Sequence, residues 1–224
     1  MDKVKNFYTE IKTEKTKEDK HYKNHLIDPK ARIGLIGGSG VGKTQFLLNF
    51  LDRAGPKFYN IFIYTTDTDE PLLRLLKQKI PEIFITNDIN EIPELMEFED
   101  DKDKEKLIVF DDFITLTNKE MVKLDKYAIA GRKFGFTSIF MVQNYRQLSK
   151  NISRNLNYVV LFKISDNATL RSILSNHNIH DIPKEKLRKM YNQATKDKFN
   201  FLLLDLNPPN KNIAYRHNFL NILH

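Results

Sequence analysis

Short apolar runs alternate along this chain with stretches in which apolar positions recur every three or four residues. Residues 33–36, 60–65 (NIFIYT), 83–86, 106–110 (KLIVF), 137–142 (TSIFMV) and 158–163 (YVVLFK) read as strands. Between them, 43–52, 71–80, 118–130 and 168–175 carry helical spacing, with Leu72, Leu73, Leu75 and Leu76 on the apolar side of the second. Residues 199–205 and 212–216 flank Asn207-Pro208-Pro209-Asn210 and predict a C-terminal β-hairpin. Continuous apolar runs belong to strands covered on both faces. The alternation of strand and helix therefore predicts an α/β fold with a largely parallel central sheet flanked by helices. The first thirty residues break the pattern. They are polar and mixed in charge, with Val4, Phe7, Tyr8 and Ile11 at helical spacing, and read as a partly helical extension (1–30) to one domain over 31–224. The acidic run 97–105 (EFEDDKDKE) interrupts the alternation and is assigned to a surface loop.

One stretch carries chemistry outright. Gly37-Gly38-Ser39-Gly40-Val41-Gly42-Lys43-Thr44 fits G-x-x-x-x-G-K-[ST], follows a predicted strand and opens a predicted helix. Glycines let backbone N–H groups turn inward around phosphate oxygens, and the helix start points its positive end at the same oxygens. Lys43 is expected to reach the β- and γ-phosphates of ATP, Thr44 to complete the shell of Mg²⁺, and Gln45 to continue the nucleotide contact. A strand-end carboxylate is the usual second half of such a site, and Asp111 follows Leu107-Ile108-Val109-Phe110 directly. It is expected to hold Mg²⁺ through water, and Asp112 to orient or deprotonate the attacking water. Gln143 ends a third strand. In a parallel sheet, ligands gather at the carboxyl ends of strands, so an amide there is placed to meet the γ-phosphate or the water.

Composition narrows the classes. The 224 residues contain no cysteine, which excludes disulfides, thiol nucleophiles and cysteine-ligated metal centres. No apolar stretch reaches the roughly 18 to 20 residues of a membrane span, and the first residues lack the apolar core of a signal peptide. His21/His25 and His177/His180 have no evident third ligand and read as solvated helix faces. Asn118-Lys119-Glu120-Met121 lacks the Asp of a guanine-reading N-K-x-D, and no LSGGQ-like stretch of a transport ATPase occurs. The net charge of +7 is concentrated. Between 118 and 154, eight basic residues (Lys119, Lys123, Lys126, Arg132, Lys133, Arg146, Lys150, Arg154) face two acids, Glu120 and Asp125. Such a stretch suits a sequence-independent phosphate backbone.

GGSGVGKT, IVFDDF and GRKFGFTSIFMVQNYRQLSKNISRNLNYVVLFK, with the FNFLLLDL…YRHNF hairpin, together resemble the DNA-packaging ATPases of poxviruses, giant viruses and virophages, in the FtsK–HerA superfamily. The resemblance spans about residues 32–219. It implies a RecA/ASCE-like P-loop NTPase fold and an ATPase that translocates double-stranded DNA into a viral capsid. The expected assembly is a homo-oligomeric ring at a capsid or portal-like vertex, in the host cytoplasm at assembly sites and in association with the virion. It assigns Lys43 and Thr44 to phosphate and metal, Asp111 to metal, Gln143 to the sensor position, and Arg132 to the arginine that reaches a neighbouring subunit's γ-phosphate. Arg154 is a second candidate for that role. Asp112 stands where many members carry Glu. Arg132 precedes the 137–142 strand, at the opposite end from Gln143, as an arginine acting across an interface requires. The alternative is a monomeric P-loop phosphotransferase acting on a small molecule.

Overall fold

The computed structural model describes residues 19–178 and 182–224. The expected helix around Val4–Ile11 and His180 lie outside the described residues. Six parallel strands form most of the sheet: β1 (Arg32–Ile36), β2 (Asn60–Tyr64), β3 (Phe84–Thr86), β4 (Lys106–Asp111), β5 (Phe136–Val142) and β6 (Tyr158–Leu161). Three antiparallel strands extend it: β7 (Leu202–Asp205), β8 (Tyr215–His217) and β9 (Asn221–Ile222). The order is β3-β2-β4-β5-β1-β6-β7-β8-β9. The expected α/β architecture and hairpin are both present. The hairpin's second strand starts at Tyr215, because Lys211–Ile213 winds into a 3-10 turn first.

Helices α1 (Tyr22–His25), α2 (Lys43–Ala54), α3 (Pro71–Lys79), α4 (Asn118–Ala130), α5 (Lys150–Asn155), α6 (Asn167–Asn176) and α7 (Lys184–Ala194) surround the sheet. Strand alternation sorts the core into two layers. Leu107 and Val109 of β4 pack with Phe46, Leu47 and Phe50 of α2 and with Leu73 and Leu76 of α3. Ile108 and Phe110 pack with Leu124, Tyr127 and Ala128 of α4 and with Leu170 and Leu187 of α6 and α7. Of the four leucines expected on the buried side of α3, Leu73 and Leu76 are buried while Leu75 stays exposed.

Packing begins ahead of the expected boundary at residue 30. His25 and Ile27 are fully buried, and the Nη1 of buried Arg216 on β8 donates to the carbonyls of His25 (3.3 Å), Leu26 (2.9 Å) and Phe219 (3.2 Å). His25 is therefore a core residue rather than part of a solvated face. Its Nδ1 accepts from Ile27 N at 3.0 Å, and burial, aided by Lys57, pushes its pKa down to about 4. His177 is partly buried too, with its Nε2 2.9 Å from the Tyr145 hydroxyl.

Register decides what meets at the sheet edge. Ile36 pairs with Val142, and Asp111 pairs with Met141. Gly37 N then donates to Val142 O at 3.1 Å. The phosphate loop, Asp111 and Gln143 thus leave three adjacent strands side by side at their carboxyl ends.

Candidate nucleotide site

The phosphate loop joins β1 to α2. Gly42 caps α2 with φ 116°, and a Cβ there would lie 3.1 Å from Phe199 Cα, so a side chain would be strained by the backbone and crowded by Phe199. Gly37 is excluded by space alone: its Cβ would meet Phe162 Cβ at 2.7 Å. The Lys43 ammonium crosses the loop and donates to Gly37 O (2.9 Å) and Gly38 O (3.0 Å). Burial lowers its pKa, and Asp111, Asp112 and Glu70 act against that.

A cleft of about 440 Å³ opens over the loop, lined by Ser39, Gly40, Gly42, Lys43, Thr44, Gln45, Asp111, Asp112 and Gln143 among the expected residues. Val41 and Gly38 turn to a neighbouring cleft that shares Gln143 and includes Lys163 and Asp166. Gln143 is exposed. Its backbone N–H, like that of Asn144, donates to Gln147 Oε1 at 3.0 Å, which fixes the chain as it leaves β5. Asp112 has φ 49° and ψ 51°, a left-handed turn directly after β4 that sets it beside Asp111 rather than on the next strand position.

Two acidic residues of the cleft, Asp67 and Glu70, escaped the sequence reading. Glu70, after β2 and ahead of α3, accepts from Thr44 Oγ1 at 3.2 Å. Glu70, Asp111 and Asp112 gather opposite one ammonium. Burial raises the pKa of Asp111 to about 6; Lys43 opposes the rise, while Glu70 and Asp112 add to it. Partly buried negative charge of this kind favours a cation nearby. Among the described residues, no group of three or more His, Cys, Asp or Glu is arranged to hold a metal alone. Mg²⁺ keeps most of its shell as water and phosphate oxygen and takes few protein atoms. Thr44 and Asp111 fit that ion.

Arg132 and Arg154 are not in this cleft. Arg132 sits in the turn Gly131–Phe134 before β5, and Arg154 in the last turn of α5 before β6, both exposed. They occupy the amino edge of the parallel strands, where Arg132 is close enough to depress the pKa of Arg32 on β1 beyond the effect of burial. The basic stretch is also less uniform than its sequence suggests. Glu94 pairs with Lys126 (3.0 Å) and Lys123 (3.6 Å), while Lys119, Arg132, Lys133, Arg146, Lys150 and Arg154 stay exposed.

The fold has solved counterparts. The genome packaging NTPase B204 of Sulfolobus turreted icosahedral virus 2, in complex with ATP-gammaS, superposes with a TM-score of 0.58 at 16% identity, over 88% of this chain and 100% of that one. ATPases 2 and 3 of EssC from Geobacillus thermodenitrificans give 0.55 at 15% identity, over 86% of this chain and 40% of theirs. The cytoplasmic domain of the type VII secretion ATPase EccC of Thermomonospora curvata gives 0.56 at 14% identity, over 87% and 26%. At such identities the likeness is one of fold. No protein with a curated description matches the chain. The sequence pattern of the Poxvirus A32 protein family, by contrast, matches residues 18–204, including every strand of the parallel sheet and the whole phosphate site, and the chain belongs to that family.

Proposed function

We propose that this chain is an ATP-hydrolysing motor subunit that drives double-stranded DNA into a viral capsid, as one member of a homo-oligomeric ring at a capsid or portal-like vertex. The observation that carries the reading is the meeting of Lys43, Thr44, Asp111 and Gln143 at one sheet edge in a chain of this family. Its likeness in fold to a viral genome packaging NTPase that takes ATP-gammaS and AMPPCP supports it. The expected setting is the host cytoplasm at sites of virus assembly, with the virion carrying the protein. No helix among the described residues is long and apolar enough to cross a membrane.

In this reading the Lys43 ammonium leaves the Gly37 and Gly38 carbonyls for the β- and γ-phosphate oxygens, adding to the positive end of α2. The Thr44 hydroxyl donates its hydrogen bond to Glu70, which would leave its oxygen lone pairs free for Mg²⁺. Mg²⁺, when bound, neutralises charge building on the phosphate oxygens. Asp111 is the carboxylate that would hold that ion. Asp112 takes the proton of the attacking water, and Gln143 orients it. Arg132, at the opposite sheet edge, serves a neighbour's γ-phosphate. Val122 and Ile129 remain about half exposed on α4, the helix that leads into Arg132, and offer apolar surface to a second copy. The exposed basic residues between Lys119 and Arg154 would contact the DNA backbone without reading its sequence.

The test is ATP turnover with and without long duplex DNA, beside the sedimentation mass. The proposal expects multimers whose turnover rises with DNA, more at low salt than at high. A monomer indifferent to DNA and stimulated by a small-molecule acceptor would establish the phosphotransferase alternative.

A further inference from the structure

A nucleotide on the phosphate loop brings a base as well as phosphates, and the residues assigned so far deal only with the phosphates. The turn between α7 and β7 brings Phe199 to the same cleft, as the one aromatic side chain among the described residues that line it. The residue is 45% exposed, in a fold that buries most of its phenylalanines. Its backbone has φ 69°, a region that a bulky side chain rarely adopts. Packing holds it there. Phe199 Cα lies 3.1 Å from the position that a Cβ on Gly42 would take, so this turn and the phosphate loop touch backbone to backbone. On either side, Asn200 N donates to Asp197 O (3.3 Å) and Phe201 N to Asn218 Oδ1 (3.2 Å). Lys198 Nζ sits 4.8 Å from the ring centroid. A partly exposed ring on a strained backbone, fixed against the start of α2, does little for the core. It does present a flat apolar face next to the place where the phosphates bind.

We infer that Phe199 is the stacking platform for the base of the bound nucleoside triphosphate. The inference rests on the nucleotide-binding reading above. Every base has a π-face, so stacking is sequence-tolerant, and this contact should accept adenine and guanine alike.

Equilibrium binding of ATP, GTP and inorganic tripolyphosphate to the full chain and to Phe199→Ala, Phe199→Tyr and Phe199→Trp tests it. Removing the ring should weaken ATP and GTP roughly 5- to 150-fold and leave tripolyphosphate unchanged. Phe199→Tyr should retain ATP affinity. The chain has no tryptophan, so Phe199→Trp gives a single reporter, whose emission should change with ATP and not with tripolyphosphate. Unchanged ATP affinity in Phe199→Ala, or a tryptophan blind to ATP, overturns the stacking role. Equal losses for ATP and tripolyphosphate also overturn it, since the ring would then serve only to brace the phosphate loop. If the unsubstituted chain binds neither ATP nor tripolyphosphate, the phosphate site itself is wrong.

Discussion

The two edges of the parallel sheet carry opposite chemistry. At the carboxyl edge, Glu70, Asp111 and Asp112 crowd around Lys43 in a cleft. At the amino edge, Arg32, Arg132 and Arg154 collect, the last two exposed. Parallel strands impose this separation: residues after β4 and β5 go to one edge, and residues before β5 and β6 to the other. An arginine before β5 is thus remote from its own subunit's phosphates. A head-to-tail contact between copies would bring one subunit's amino edge to the next one's carboxyl edge, and a closing rotation turns such contacts into a ring. The separation within one chain would then become complementarity between two.

Substitutions at the carboxyl edge have the largest expected effect. Lys43→Ala and Asp111→Asn should each abolish measurable hydrolysis, a loss of at least ~10²–10³-fold, as the electrostatic stabilisation of phosphoryl transfer disappears. Near-normal turnover in either purified variant would remove the assignment. Asp112→Asn should leave ATP bound and slow cleavage strongly in single-turnover assays, whereas an unchanged rate would move the base elsewhere.

Glu70→Gln sharpens the picture by a smaller amount. Groups that hold a metal ligand from behind are worth about 10- to 100-fold in metal affinity. ATP binding measured with Mg²⁺ and with EDTA should show the variant weakened only in Mg²⁺; equal weakening in both would make Glu70 a general structural contact.

The smallest effect lies away from both edges, at His25. Its folded pKa of about 4 lies below the ordinary 6.5. Below 6.5 the unfolded chain takes up a proton that the folded chain refuses, so stability is full above pH 6.5 and falls as pH drops toward 4. His25→Gln should flatten that part of the melting profile, a difference on the order of 1–3 kcal/mol at the acid end. Parallel profiles would show that His25 titrates normally.

Much of the carboxyl edge was legible because it rests on strand ends. A glycine-rich loop after one strand, Asp111 after another and Gln143 after a third must share an edge if all three strands are parallel. Glu70 was not legible, since Thr65-Thr66-Asp67-Thr68-Asp69-Glu70 reads as an ordinary polar turn, and only the fold brings its last residue to Thr44. Helix α7 escaped for a related reason. Leu187, Met190, Tyr191 and Ala194 have helical spacing, but the charged residues among them hide the buried face. The pairing of Lys123 and Lys126 with Glu94 links residues about thirty apart, and charge counting along the chain has no access to it. The burial of His25 likewise depends on β8, at the far end of the sequence.

The most direct test of completion between copies mixes two inactive proteins. Arg132→Ala should keep its fold and ATP affinity and lose about 10³- to 10⁵-fold in turnover, the range for an arginine supplied across an interface. Asp111→Asn should be inactive for its own reason. When the two are combined and co-assembly is verified by sedimentation, some interfaces pair an intact Arg132 with an intact Asp111. The account predicts that ATP turnover returns in the mixture and peaks at intermediate ratios. Co-assembled mixtures that stay inactive at every ratio would contradict it, and would turn attention to Arg154.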